Sequence, residues 1–239
     1  MKKFLAFVVT AITVTTLAMI SSCQKESTVN PSSTVSSSDE KNSLSQVFQP
    51  NALPYGKSYM SWMVAWWKWD LSFDCNHFPT FDTTGSLENQ NHSGPVFFLA
   101  GSRHDYTLAV TIPSGASIFL PISTVEDDYP CGDQQLDSLV SVTTSFVNTI
   151  TDLTLTIDGH AVNHLTSYKF ISPVFTTAAN ADLVNCFDDC ITGGPQQWSV
   201  GGYFVMLRPL SPGSHTIVRH ATAEGGAITY DTTYDITQL

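Results

Sequence analysis

Five carboxyl groups fall within twelve positions, at Glu126, Asp127, Asp128, Asp133 and Asp137. Two carboxylates held a few ångströms apart, one with a raised pKa, act as acid and base on a glycosidic bond. The same oxygens suit calcium, but the run lacks the alternating ligands and central glycine of an EF-hand loop. A solvated loop on an acidic protein is the expected state, with Glu126, Asp127 and Asp128 as candidate ligand contacts. Tryptophan is the other concentrated chemistry: Trp62, Trp66, Trp67 and Trp69 lie within eight positions. Indole faces stack on sugar rings, yet Tyr59, Trp62, Met63 and Trp66 recur at helical spacing and predict a buried stripe. Trp67 and Trp69 fall partly off that stripe and are the tryptophans expected to be exposed and to meet a ligand.

The histidines predict no metal site. His160 and His164, four residues apart on a predicted strand, would stand roughly 13 Å apart, too far for one ion. His215 and His220, at odd spacing, are expected to face opposite ways. Cys75, Cys131, Cys186 and Cys190 form an even set that reads as two disulfides in an oxidising compartment, with three connectivities open. The short loop around Phe187-Asp188-Asp189 favours Cys186 with Cys190, leaving Cys75 with Cys131. Three residues between cysteines, with no second cysteine pair and no adjacent histidine, argue against zinc. Gly-x-Ser-x-Gly, His-Glu-x-x-His, Walker and Rossmann fingerprints are absent, so no cofactor and no standard hydrolase, protease or nucleotide chemistry is expected.

The elements that would position these side chains are mostly strands. Ser58 is the expected cap of the tryptophan helix. Leu108, Val110 and Ile112 alternate, and Pro113-Ser114-Gly115 is expected to turn the chain into a hairpin with Ser117 to Ile122. Asp133 is expected to cap a second helix through Leu136, Leu139, Val140, Thr143, Phe146, Val147 and Ile150. Leu153, Leu155 and Ile157 lead into Asp158-Gly159, a type I′ turn signal, and a return through Val162. Short β-rich runs follow, and in the last one Ile228, Tyr230, Thr232, Tyr234 and Ile236 face one way and polar residues the other. The pattern predicts a mainly β fold, an antiparallel β-sandwich of jelly-roll or immunoglobulin-like type, with about two packed helices.

At the N-terminus Lys2 and Lys3 precede an apolar run from Phe4 to Ile20, and Ile20-Ser21-Ser22-Cys23 follows. This resembles a bacterial lipoprotein signal, in which the cysteine is diacylated and becomes the new N-terminus. The resemblance implies a signal peptide over 1–22, lipid on Cys23, and a membrane as partner. Residues 23–54, rich in Ser, Thr, Asn and Pro, then read as a tether, and 55–239 as one domain. Gln24-Lys25-Glu26-Ser27 is similar to the export signals that carry lipoproteins of Bacteroidetes-type bacteria to the outer face of the outer membrane. Without residues 1–22 the chain keeps eight bases against 21 acids, a formal charge of −13. That excess excludes nucleic acid and anionic headgroups as partners.

The tryptophan segment from Gly56, with Asp82-Thr83-Thr84-Gly85, Ser93 to Gly101, Ile112 to Ile122 and Pro209 to Ile217, resembles a group of uncharacterised secreted bacterial proteins. In these a tryptophan-rich Gly-x-Ser-Tyr helix precedes an Asp-Thr-Thr-Gly turn and a Gly-Pro-Val strand. The resemblance implies one shared fold and no named activity. Leu210 to Ile217 also looks like the turn into a late strand of immunoglobulin-like bacterial sandwiches. The expected function is non-catalytic binding of glycan or another surface ligand by a lipid-anchored envelope protein. The alternative is a polysaccharide hydrolase using the Glu126 to Asp137 carboxylates.

Overall fold

The structure, a computed structural model, describes residues 46–90, 92–101 and 105–239. Cys23, the signal-like segment and most of the tether lie outside the described residues. One sheet orders β1 (Val96–Phe98), β3 (Ser117–Tyr129), β8 (Pro195–Leu207) and β6 (Lys169–Ile171), with β7 (Phe175–Ala178) also on β8. The other orders β2 (Tyr106–Ile112), β10 (Ile228–Gln238), β9 (Gly213–Ala223), β4 (Thr151–Ile157) and β5 (His160–Ala161). Neighbours are antiparallel except β1 with β3 and β2 with β10, so both sheets are mixed. With helices α1 (Tyr59–Asp70) and α2 (Leu139–Val147) the fold is mainly β and sandwich-like, as the periodicities predict.

Burial follows the side-chain period. β10 buries Tyr230, Thr232, Tyr234 and Ile236 and leaves Asp235 and Thr237 in water. The first seven residues of β3 are all buried, the signature of a strand covered on both faces. On one face of this sheet Tyr59 of α1 stacks 5.2 Å from Phe170, and Trp66 lies 5.7 Å from Phe204. Gly201 points to the opposite face, being an odd number of residues from Phe204 along β8. A Cβ there would come within 3.0 Å of Thr143 and Val147, so glycine lets α2 lie directly on the strand.

Helix α1 starts where expected, with Ser58 Oγ accepting from Ser61 N at 3.2 Å. It is buried on more sides than its stripe predicts. Trp67 and Trp69 are 5% and 7% exposed, which overturns their assignment as exposed platform residues. The reason lies mostly in partners distant in sequence: Trp67 donates to Thr124 of β3 and packs beside Phe187, while Phe73, His92 and Phe98 pack on Trp69. Every indole N–H of the helix has a fixed acceptor: Pro54 O for Trp62, Leu99 O for Trp66, Thr124 Oγ1 for Trp67 and Gln90 O for Trp69. The Asp-Thr-Thr-Gly turn is structural as well. Asp82 accepts from Thr84 N and Leu87 N, and Gly85 packs so closely on Ala109 that a Cβ would meet its backbone at 2.4 Å.

Three local expectations are corrected. The Pro113-Ser114-Gly115 turn forms, but β2 and β3 belong to different sheets and do not pair. One-sided β2 and two-sided β3 need different surroundings, and the turn carries the chain between them. The second helix begins at Leu139, not near Asp133, after a short 3-10 turn over Leu136–Ser138, and the side chain at its cap position, Ser138, donates back to Gln135 O instead of capping the helix. The disulfides are Cys75–Cys186 and Cys131–Cys190, not the local pairing. Asp182 accepts from Cys75 N at 3.0 Å, setting Cys186 beside Cys75, while the pairing of Tyr129 with Gln197 brings Cys131 toward Cys190. The Asp158-Gly159 turn is as expected, with φ of 52° and 77°.

Candidate functional site

A pocket of about 300 Å³ opens where α1, the two sheets and the Cys186–Cys190 loop meet. Trp66 and Trp67 form its α1 wall, Phe81 and Phe187 come from two loops, Tyr230 from β10, and Glu126 and Arg219 bring the charge. The volume is at the low end for small-molecule sites, and an apolar lining with few polar groups is their usual chemistry. Phe81 is 48% exposed beside the pocket, while Phe187 packs 5.0 Å from Phe78 and 6.4 Å from Trp67. Of the aromatic lining residues, Phe81 is exposed and Phe187 half-buried, whereas Trp66, Trp67 and Tyr230 are buried.

Arg219 is the floor. It is 2% exposed, a charge placed inside by the alternation Ile217, Arg219, Ala221 along β9. Its Nη1 donates to the carbonyls of Pro121 and Ile122 at 2.9 and 3.1 Å, and its Nη2 donates to Thr232 Oγ1 at 3.1 Å. Those carbonyls sit where the β3–β8 register shifts, so the guanidinium satisfies acceptors that the irregular ladder leaves. Gly101 lies so close above it that a Cβ would fall 2.0 Å from Nη2.

Behind this floor is a buried acidic group that the sequence reading did not single out. Asp70 and Glu88 are wholly buried. Asp70 accepts from Thr80 Oγ1 at 2.7 Å and Glu88 from Ala100 N at 2.8 Å. Desolvation raises Asp70 to about 7 despite the Thr80 bonds, and raises Glu88 well above the carboxylate range, with Asp82 and Asp70 adding like charge. Arg219 was not singled out either, although alternation along β9 is a signal that could have placed it inside. Asp70, at the end of α1, and Glu88, in an irregular segment, carry no comparable signal.

The three acids expected to act together are separated by the strand that carries them. Glu126 lines the pocket. Asp127 accepts from Gln134 Nε2. Asp128 is buried beyond the pocket wall, where it accepts from Gln196 Nε2 and faces Asp188 and the Cys131–Cys190 disulfide. One potential ligand atom from each of Asp128, Cys131, Asp188 and Cys190 falls within 4.8 Å of the others, but both sulfurs are in the disulfide and offer no thiolate. Trp69 does not line the pocket; it lies behind Trp66, 6.0 Å away, and stacks on His92 at 5.3 Å. His160 sits in β5, and His164 leaves the strand with φ of 59° to start a 3-10 turn.

One arrangement has the outline of a nucleophilic triad. Ser211 Oγ lies 3.3 Å from His215 Nε2, and His215 Nδ1 lies 2.7 Å from Asp158 Oδ2. The imidazole Nε2 is also 2.8 Å from the Ser211 carbonyl, to which it donates. A nitrogen that carries its proton toward a carbonyl cannot take one from the serine, so His215 is no general base here. It clamps the β4–β5 turn to the segment before β9.

No family model and no curated protein matches the chain. Among solved structures, the chain is similar to a cysteine protease inhibitor from Entamoeba histolytica, at 12% identity over 60% of this chain and 94% of that one, with a TM-score of 0.24. A structure of PbICP-C in complex with falcipain-2 gives 11% identity, 61% and 100% coverage, and a TM-score of 0.26. The solution structure of amebosin gives 11%, 56% and 96%, with a TM-score of 0.19.

Proposed function

We propose that the chain is a lipid-anchored protein of the bacterial cell envelope, held at the outer membrane through Cys23, whose pocket binds a glycan unit without turning it over. The observation that carries the binding reading is the pocket itself: phenylalanine faces from Phe81 and Phe187 beside the Glu126 carboxylate. Aromatic faces bury the apolar side of a sugar ring, and a carboxylate, with four lone-pair sites, accepts from its hydroxyls. Two disulfides suit an extracytoplasmic address. Hydrolysis needs a second carboxylate flanking the same bond, and among the described lining residues Glu126 is the one acid.

The test is a glycan array with the whole chain, followed by a reducing-sugar assay on each hit. Binding without release of reducing ends is expected. Turnover, or silence across envelope and host glycans, contradicts the reading. For the anchor, an alkyne fatty acid should label the wild type and spare Cys23→Ala, and label on the variant would show that lipid is attached elsewhere.

A further inference from the structure

Among the described residues, the loop that brings Phe187 to the pocket is bordered by carboxyl groups. Asp128, at the end of β3 and 2% exposed, has a carboxyl oxygen within 4.8 Å of one from Asp188. Asp188 in turn organises the loop, its Oδ1 accepting from Cys190 N at 2.7 Å. Gln196 of β8 donates to Asp128 and accepts from Thr192 N at 2.9 Å, joining β3 to the far end of the loop. Disulfides tie Cys186 to Cys75 and Cys190 to Cys131, so Phe187, Asp188 and Asp189 form a short span fixed at both ends.

We propose that Asp128 is a proton-operated latch on this pocket wall. Neutral, it allows the span carrying Phe187 to close against β3; ionised, it repels Asp188 and loosens that wall. Among the described residues, the charged groups that act on Asp128 are Asp188 and Asp189 from the loop and Asp127 from its own strand, all of one sign. β8 presents only the neutral Gln196 amide to it. Burial first, then these three charges, raise the Asp128 carboxyl to about 7. Ionisation therefore falls near neutral pH, where a like-charge pair with one buried and one half-buried member is only partly screened. The ends of the span stay fixed, so the change is a local loosening of Phe187 and not the opening of a lid. Its consequence for a ligand rests on the pocket reading above; the latch itself does not.

Hydrogen exchange of the whole chain tests the latch without any ligand. The amides of Phe187, bonded to Leu183 O at 2.9 Å, and of Cys190 report on the span. After correction for intrinsic exchange, their protection should fall roughly tenfold or more between about pH 5.5 and about pH 8 in the wild type. In Asp128→Asn, which keeps an acceptor for Gln196, and in Asp188→Asn, the fall should be absent. Equal falls in the wild type and in either folded variant, or unchanged protection in the wild type, would overturn the proposal. If the latch operates and no glycan binds, the pocket reading alone has failed.

Discussion

The tryptophans of α1 and the phenylalanines at the pocket offer the same chemistry in opposite settings. Trp62, Trp66, Trp67 and Trp69 are all buried, with their N–H groups bonded to fixed acceptors. Phe81 has no polar group to satisfy and stays half exposed beside the pocket. Aromatic density in the sequence marks the core of this molecule, while the ligand-facing rings come from scattered single residues on loops. An indole that donates to Leu99 O across the core is part of the fold, and changing it should disturb structure before it disturbs binding.

That contrast can be broken most severely at the covalent ties. Removing Cys75–Cys186, which spans 111 residues, should cost about 4 to 5 kcal/mol by chain entropy. It should also release Phe187 from the pocket, and denaturant unfolding of Cys75→Ala/Cys186→Ala measures the loss. Trp66→Ala should come next, costing about 3 to 5 kcal/mol through the cavity it leaves and the orphaned Leu99 carbonyl. A Trp66→Ala protein of wild-type stability would show that the helix is not the core element described here.

The buried acids behind Arg219 give a pH dependence of defined sign. Asp70 has its folded-state pKa raised by burial to about 7, so the folded state binds more protons than the unfolded one between about pH 4 and about pH 7, and Glu88, also raised by burial, adds in the same direction. Stability should fall as pH rises through that window, by a few kcal/mol in all, and Asp70→Asn should flatten part of the slope. His215 acts in the same direction in a smaller measure. Burial lowers its pKa, but its bonds to Asp158 and to the Ser211 carbonyl, with the Asp158 charge, leave it raised. Its stabilisation is fully present below about pH 6.5 and lost as pH rises through the folded pKa. With Asp158 partly exposed, His215→Gln should cost about 0.5 to 1 kcal/mol at low pH and less above neutral.

The parts of the fold legible in the sequence are those written in local periodicity. Ser58 capping α1, the Asp158-Gly159 turn and the alternation of β10 each depend on residues a few positions apart. Features set by distant partners were not legible. A turn such as Pro113-Ser114-Gly115 has the same local chemistry whether its strands pair or pass into different sheets. Disulfide pairing depends on Asp182 reaching Cys75 across more than a hundred residues. Of the site, Glu126 was visible because acids cluster around it. Phe81 and Phe187 were not, because a lone phenylalanine on a loop looks the same at a pocket as in a core.

The most direct measurement is Phe81→Ala, with urea unfolding and affinity for an array-identified glycan determined on one sample. A half-exposed ring should leave stability within about 0.5 to 1 kcal/mol of wild type, while affinity should fall by roughly tenfold or more. Unchanged affinity with wild-type stability would contradict the assignment of the binding surface to the phenylalanines of this pocket.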